Sequence, residues 1–562
     1  MRLTKARRLI IQIGKIFLVV AMGTATHGWC QNSTNTPAAS NSADPLLDLF
    51  VQKGFVTQQE AEQVQAEAAA LRSNQMQMPP MSASKWEISQ PIKGVELYGD
   101  ARVRFEDRSA KDPEGDQIDL QRFRYAVRLG LRGDLYDDFY YGVRMDTGSN
   151  PRSPFVTFGT AASPGSTSGY YQGPFGKSQA GINIGQVYLG WHPEDWVELT
   201  VGKMPNPLFT SSMVWSPNIS PEGLAEHFKY TVGKMDFFAN FGQFIYQDEN
   251  PTYASSFLQT SGLGQDNNND FMIAWQGGMI YRITTNLTAK IGGTVYSYYG
   301  LKHSTTVPGT TSPFYGDVYV GEGQYGGPGT GSAPQGFGTY GYSGFGTAGN
   351  LPGQESVNYP NNQVGLNDLL VLEIPFQVDY KFKGMDAHIF GDYSYNLEGK
   401  QRAEAASQAY GNYLTNGLFE GTTQTKPTIS TFAPQTHDVK AYQIGFGIGS
   451  DDIVYGPNQG LVYGTSSPRH SWEVRTYWQH IEQYSLDPNL LDLDVFNGVE
   501  NLQGIYVAAA YAFTGNVIGT FRYGHASRIN DLLGTGGSSG DIPQINPINS
   551  FNLYQVDLTV RF

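Results

Sequence analysis

The chain is poor in the features that most folds use to staple themselves together or to do chemistry. It has a single cysteine, Cys30, in 562 residues. That residue falls in what reads as a removable leader, so a mature protein without disulfides or cysteine metal sites is expected. Nowhere does the sequence reach the ~18–20 consecutive apolar residues of a membrane-crossing helix. Positive charge is scarcer than negative, 37 Lys+Arg against 51 Asp+Glu for a net −14, which speaks against nucleic acid as a partner. The nine histidines are scattered without an HExxH spacing, and no nucleophile motif accompanies a serine, so neither a catalytic residue nor a cofactor is assigned. Gly344-x-Gly346-x-x-Gly349 has the spacing of a dinucleotide fingerprint, but it sits in a Gly/Tyr/Pro loop with no parallel strand before it and no helix after it.

Glycine and aromatic residues are abundant, with Gly 67, Tyr 35 and Phe 31, while charged residues are only 16%. That mixture suits many strands, glycine-rich loops and aromatic belts. The charges that do occur are placed by parity. Val95, Leu97, Gly99, Ala101, Val103 and Phe105 alternate with Glu96, Tyr98, Asp100, Arg102, Arg104 and Glu106. Phe123, Tyr125, Val127, Leu129 and Leu131 alternate with Arg122, Arg124, Arg128 and Arg132, and Phe139, Tyr141, Val143 and Met145 with Tyr140, Gly142, Arg144 and Asp146. A strand sends successive side chains to opposite faces, so each segment has one apolar and one charged face. Lipid outside and water inside a closed sheet call for this arrangement. The pattern recurs along the chain, for example at Tyr442, Ile444, Phe446 and Ile448, although Phe237 to Phe244 alternates poorly.

Connections are long and short in turn. Short ones fall near Gly133-Asp134, Pro193-Glu194, Gly233-Lys234, Thr284-Asn286, Lys383-Gly384 and Thr514-Asn516; long ones near 107–121, 148–180, 203–222, 247–270, 301–368, 397–437, 484–501 and 525–549. A long connection at 451–470 breaks the alternation. The expected fold is all-β, a transmembrane antiparallel up-and-down barrel of about sixteen strands spanning 93–562.

Ahead of it, 1–30 reads as a secretory signal: Arg2, Lys5, Arg7 and Arg8, then an apolar Ile16–Met22, then small residues, with cleavage placed after Cys30. A flexible linker, 31–44, leads into a short helical pair at 45–73, capped at Asp44 and by the Thr57/Glu60 box. Its Ala61, Val64, Ala68 and Leu71 seam could join subunits or pack on itself. A second linker covers 74–92.

The last strand sets Tyr554, Val556, Leu558, Val560 and the terminal Phe562 on one face. Such an ending resembles the signal read by the barrel-assembly machinery. Gly99-Asp100-Ala101-Arg102-Val103-Arg104-Phe105, the arginine-rich second strand, Gly202-Lys203-Met204-Pro205-Asn206-Pro207, Val214-Trp215-Ser216-Pro217 and Pro221-Glu222-Gly223-Leu224 together resemble the putative porin family of Gram-negative outer membranes, with a more distant similarity to phosphate-selective porins. The resemblance implies a homotrimer in outer-membrane lipid and lipopolysaccharide, with water-filled pores passing small hydrophilic solutes. It also implies that the third external loop, 203–222, folds inward as a constriction carrying Lys203, Pro205, Asn206, Pro207, Trp215, Pro217 and Glu222. Prolines would hold such a loop in a fixed shape.

Arg102, Arg104, Arg122, Arg124, Arg128 and Arg144 are the candidate pore-lining residues. Either they form a ladder that guides anions, or they pair with acids of the same parity, Asp146, Glu198, Glu373, Asp379 and Asp557. Facing them the constriction offers only Glu222, with Glu226 on the next strand. Tyr98, Tyr140 and Trp215 are candidate solute-binding aromatics for a substrate-specific channel (phosphate, sugar or carboxylate); a structural or adhesive barrel is a third reading. The acids of the external loops, Asp112, Glu114, Asp116, Asp119, Asp248, Glu249, Asp266, Asp492 and Asp494, are expected to be solvated, or to bridge divalent cations to lipopolysaccharide.

Overall fold

The computed structural model describes residues 92–111, 115, 117–159, 182–248, 269–299, 337–339, 358–360, 369–403, 437–450, 467–531, 535 and 548–562. The leader, the first linker, the helical pair, the second linker up to 91, the 344–349 glycines, the 451–466 connection and the loop acids Asp112, Glu114, Asp116, Glu249 and Asp266 lie outside the described residues.

Sixteen strands form one closed antiparallel barrel, to which the two-residue strand Val156–Thr157 adds a short pairing with Arg124 and Tyr125. They are β1 (Glu96–Lys111), β2 (Gln117–Asp134), β3 (Phe139–Thr147), β4 (Ile182–Glu194), β5 (Val197–Lys203), β6 (Glu222–Val232), β7 (Met235–Asp248) and β8 (Asn269–Arg282). The circuit continues with β9 (Leu287–Tyr299), β10 (Leu370–Phe382), β11 (Met385–Asn396), β12 (Lys440–Gly449), β13 (Trp472–Ile481), β14 (Leu502–Ala512), β15 (Val517–Arg528) and β16 (Ser550–Arg561). Each pairs with its neighbours in sequence, and β16 pairs with β1 to close the ring, setting Arg104 opposite Asp557 and Val103 opposite Leu558. The last residue completes the seam: the Gly99 and Phe562 backbones exchange hydrogen bonds of 2.8 and 3.1 Å. A closed sheet leaves no unpaired edge, which hydrocarbon would not tolerate.

The parity of the strands becomes inside and outside. Leu97, Val103, Phe123, Val127, Tyr554, Val556 and Leu558 stand exposed on the outer wall, whereas Asp100, Arg102, Arg104 and Glu106 are buried within. Val103 is 49% exposed and its neighbour Arg104 is 0% exposed. Short turns fit their residues: Lys383-Gly384 has φ of 46° and 76°, the paired left-handed geometry of a two-residue hairpin. At Gly130 a Cβ would come within 2.4 Å of the Tyr98 ring, so glycine there lets the aromatic lie across the inner wall.

Three connections differ from the sequence reading. The first is only 112–116, because β1 and β2 stay paired up to Lys111 and Gln117; the hairpin continues past the level where one face must be apolar, so alternation lapses while pairing does not. The third long connection is 204–221, with Lys203 and Glu222 on the flanking strands. The segment after β13 is no surface loop, since Leu486, Leu491, Leu493 and Phe496 are all buried. The poor alternation of β7 also has a cause. Phe238 and Phe244 face inward to meet Phe209 and Trp215 of 204–221, edge to face at 6.4 and 6.2 Å.

A charge placed at mid-strand on the outer wall should be costly. Val103→Arg is expected to lower barrel stability by about 2–4 kcal/mol, read by urea titration of the chain folded in lipid vesicles. A loss below roughly 0.5 kcal/mol, the size of an ordinary surface change, would put that face in water.

Candidate channel interior

Parity places the guanidiniums of Arg102, Arg104 and Arg108 on β1, Arg122, Arg124 and Arg128 on β2 and Arg144 on β3 on the inner wall. They come with carboxylates. Arg104 donates to both Asp557 oxygens at 2.7 and 2.9 Å and, through its third nitrogen, to Asp494 at 2.7 Å. Arg522 shares the same Asp557. Arg128 and Arg102 reach Asp100 at 2.8 and 3.1 Å, and Arg144 forms a two-pronged pair with Asp146, both bonds 2.7 Å. Glu106 lies among Arg104, Arg108, Arg122 and Arg124. The planar guanidinium fork makes such sharing possible. Phe155, from the connection after β3, slides its ring beneath the group, 3.9 Å from the Arg104 guanidinium carbon, and its carbonyl accepts from Arg124 at 3.0 Å.

Of the acids named from parity, Asp146 and Asp557 meet arginines. The others are engaged elsewhere: Glu198 accepts from Tyr140, Asp379 from Gln377 at 2.7 Å, and Glu373 from Thr210 and Tyr296 at 2.5 and 2.6 Å. Glu222 sits at the root of 204–221 and pairs with Lys203 at 2.5 Å, and Glu226 accepts from Gln243 at 2.9 Å. Neither stands across from the arginines. That place belongs to Asp494, with Asp492 beside it, on the segment after β13.

Two segments therefore enter the barrel. The first, 204–221, carries Pro205, Asn206, Pro207, Trp215 and Pro217 and leans on the wall of β8–β11. The Gln276 carboxamide grips both backbone groups of Phe209 at 2.8 Å, and Ser211 donates to Asp392. The second, 482–501, reaches the arginine wall, where the Leu493 carbonyl accepts from Arg108 at 2.8 Å. They meet where the Ser216 amide donates to the Leu490 carbonyl at 2.6 Å, and Met213, Val214 and Trp215 share an apolar cluster with Leu486 and Leu490. Contact thus runs across the barrel from β11 to β1.

This placement corrects the expectation for two loop acids. Asp494 and Asp492 are folded in against arginines and are not spread on the outer surface to bridge lipopolysaccharide. The Arg104 and Arg108 charges hold Asp494 well below the usual carboxylate range against the pull of burial. Burial and the Asp494 charge push Asp492 up to about 7.

The aromatics proposed to bind solute have structural duties. Trp215 is buried against Phe244 and Tyr296, Tyr98 fills the space over Gly130, and the Tyr140 hydroxyl bonds Glu198 and Thr200. Open space lies on either side of the first segment. A cavity of about 110 Å³ at the long-loop end is lined by Asp146, Asn150, Lys203 and Asn218. A larger one, about 390 Å³, lies at the short-turn end beneath Phe209.

A closed ring of sixteen strands with an apolar outer wall and inward-folding segments is the architecture of an outer-membrane channel. Residues 102–562 match the family described as "Putative porin". The chain belongs to that porin family. Its place is the outer membrane, and the family is one of channels, not enzymes. No curated protein matches this porin in sequence. Among solved structures it is similar to an anion-selective porin from Comamonas acidovorans, at 9% identity and TM-score 0.37, covering 84% of this chain and 99% of that one. It is also similar to the outer membrane channel DcaP of Acinetobacter baumannii, at 8% identity and TM-score 0.34, covering 83% and 97%. Likenesses this distant carry no functional argument.

Asp557→Asn should remove the charge that two buried guanidiniums, Arg104 and Arg522, share, and the porin should lose roughly 3–5 kcal/mol in urea titration. Asp557→Leu combined with Arg104→Met should recover part of that loss. Full stability in the single variant would mean the Arg104–Asp557 contact carries no weight.

Proposed function

We propose that this porin is a water-filled channel for passive diffusion of small hydrophilic solutes and ions, with a preference for anions. The observation that carries it is the composition of the arginine wall. Among the described residues, Arg102, Arg104, Arg108, Arg122, Arg124, Arg128 and Arg522 gather around four carboxylates, Asp100, Glu106, Asp494 and Asp557. Shared carboxylates leave a positive potential along that side, and a low-dielectric wall focuses it. The cavities on both sides of the first inward segment support a path past it. Pore-lining duty falls to the arginines and constriction duty to 204–221 with its Lys203–Glu222 root. Export by the N-terminal signal, read from 1–30 itself, insertion through Tyr554, Val556, Leu558, Val560 and Phe562, and a homotrimer among lipopolysaccharide belong to the same reading; the insertion signal and the trimer rest on resemblance. A substrate-specific channel is the second reading, favoured by the cavity beneath Phe209.

The test is the reversal potential in planar bilayers under a salt gradient. At pH 6 it should show anion preference. Asp492 ionises near 7, so preference should move toward cations between pH 6 and 8, and Asp492→Asn should flatten that change. The folded carboxyl keeps its proton to about 7 whereas an unfolded one loses it near 3.8. This group therefore withdraws stability as pH rises between those values. Clear cation preference at pH 6 would sink the reading.

A further inference from the structure

The cavity at the short-turn end has walls of two chemical kinds. Phe209 of the first inward segment and Phe238 of β7 present ring surface, and Lys229, Lys290, His227 and Asp236 supply the polar rim. The two rings stand edge to face with planes at 87°. The Lys290 ammonium lies 3.8 Å from the centre of the Phe209 ring and 5.6 Å from that of Phe238. Gln276 makes the arrangement rigid. Its Oε1 accepts from the Phe209 amide at 2.8 Å and from Asn240 Nδ2 at 2.7 Å, and Asn240 in turn bonds the His227 ring. One carboxamide thus sets the positions of an aromatic face and of a polar rim group together.

The acids nearby are already engaged. Asp236 accepts from Thr231 at 2.7 Å and pairs with Arg282. Asp379, the acid that acts on Lys290 through space, accepts from Gln377 at 2.7 Å. Among the described residues no carboxylate lies within 4.0 Å of Lys290 or Lys229. Ring surface beside ammonium groups, with Lys290 itself lying over the Phe209 ring, suits a ligand that has a flat apolar body and an anionic end. A bare inorganic anion would leave the rings unused. A volume of about 390 Å³ is in the range of small-molecule sites.

We propose that this cavity is a binding subsite for small flat carboxylates, packed against the Phe209 and Phe238 rings that line it, with the carboxylate on Lys290. Its place at the short-turn end, the periplasmic side of such barrels, makes it the last station before release. That consequence for transport rests on the channel reading above; binding itself does not.

Two measurements on the full chain separate the claims. In detergent micelles, saturation-transfer NMR should show benzoate bound and benzyl alcohol, its uncharged counterpart, bound about tenfold more weakly. Lys290→Met should weaken benzoate by a similar factor, Lys290→Arg should keep it, and Phe209→Leu should weaken it with the barrel intact. In planar bilayers, benzoate added on the periplasmic side should interrupt the current of the wild-type chain and not that of Lys290→Met. Equal binding of benzoate and benzyl alcohol, or benzoate binding unchanged in Lys290→Met, overturns the subsite. A barrel that conducts without binding benzoate loses the subsite and keeps the channel. One that binds benzoate through Lys290 without conducting keeps the subsite and loses the channel.

Discussion

Hydrocarbon accepts no charge, so a closed sheet standing in it must turn every arginine and every carboxylate inward. The interior of this barrel follows from that one restriction. Charges crowd onto a concave wall where they meet each other before they meet solute. On β1 alone Asp100, Arg102, Arg104, Glu106 and Arg108 stand on the same face, two residues apart. Ion pairing in such a place is less a source of net stability than a way to keep confined charges from being stranded. Arg104 shows the rule: buried completely, it spends its three nitrogens on Asp557 and on Asp494.

The same restriction explains the apolar clusters inside a wall expected to be polar. Where a segment enters the barrel and packs on the wall, the wall residues beneath it are dry and can be apolar. Phe244, Met272, Tyr296 and Val371 face inward and lie under Met204, Val214 and Trp215. Polar alternation survives where water or charge partners remain, along β1 to β3 and at β16. It fails where protein covers the inner wall. β7 is therefore not a badly written strand but one that faces lipid on one side and a folded segment on the other.

The barrel was legible in the sequence because side-chain parity is a local property. Alternation over a few residues at Val95–Glu106 or Tyr554–Phe562 needs no knowledge of the rest of the chain. Strand ends were less legible, since β1 and β2 stay paired beyond the point where parity matters. The interior was hardest to read, because its contacts join residues far apart in the chain. Arg104 and Asp557 meet across the closing seam, separated by 453 positions. The inward course of 482–501 left one local trace, a run of Leu486, Leu490, Leu491, Leu493 and Val495 too apolar for an exposed loop. The acids Asp492 and Asp494, set within the same run, mask it. Phe209 carried no motif; only the grip of Gln276, on a strand beyond the next long connection, sets it over a cavity.

Selectivity in such an interior cannot be read by counting arginines. What a passing ion feels is the charge left after sharing, and sharing depends on where the second segment lies. Asp494 reaches Arg104 and Arg108 only because 482–501 crosses the barrel and is fastened midway, at Ser216–Leu490, to a segment anchored on the opposite wall. The apolar cluster that glues the two segments is thus part of the electrostatics. Loosening it would withdraw a carboxylate from the arginines without touching a charged residue. The field along the path is set by packing as much as by charge.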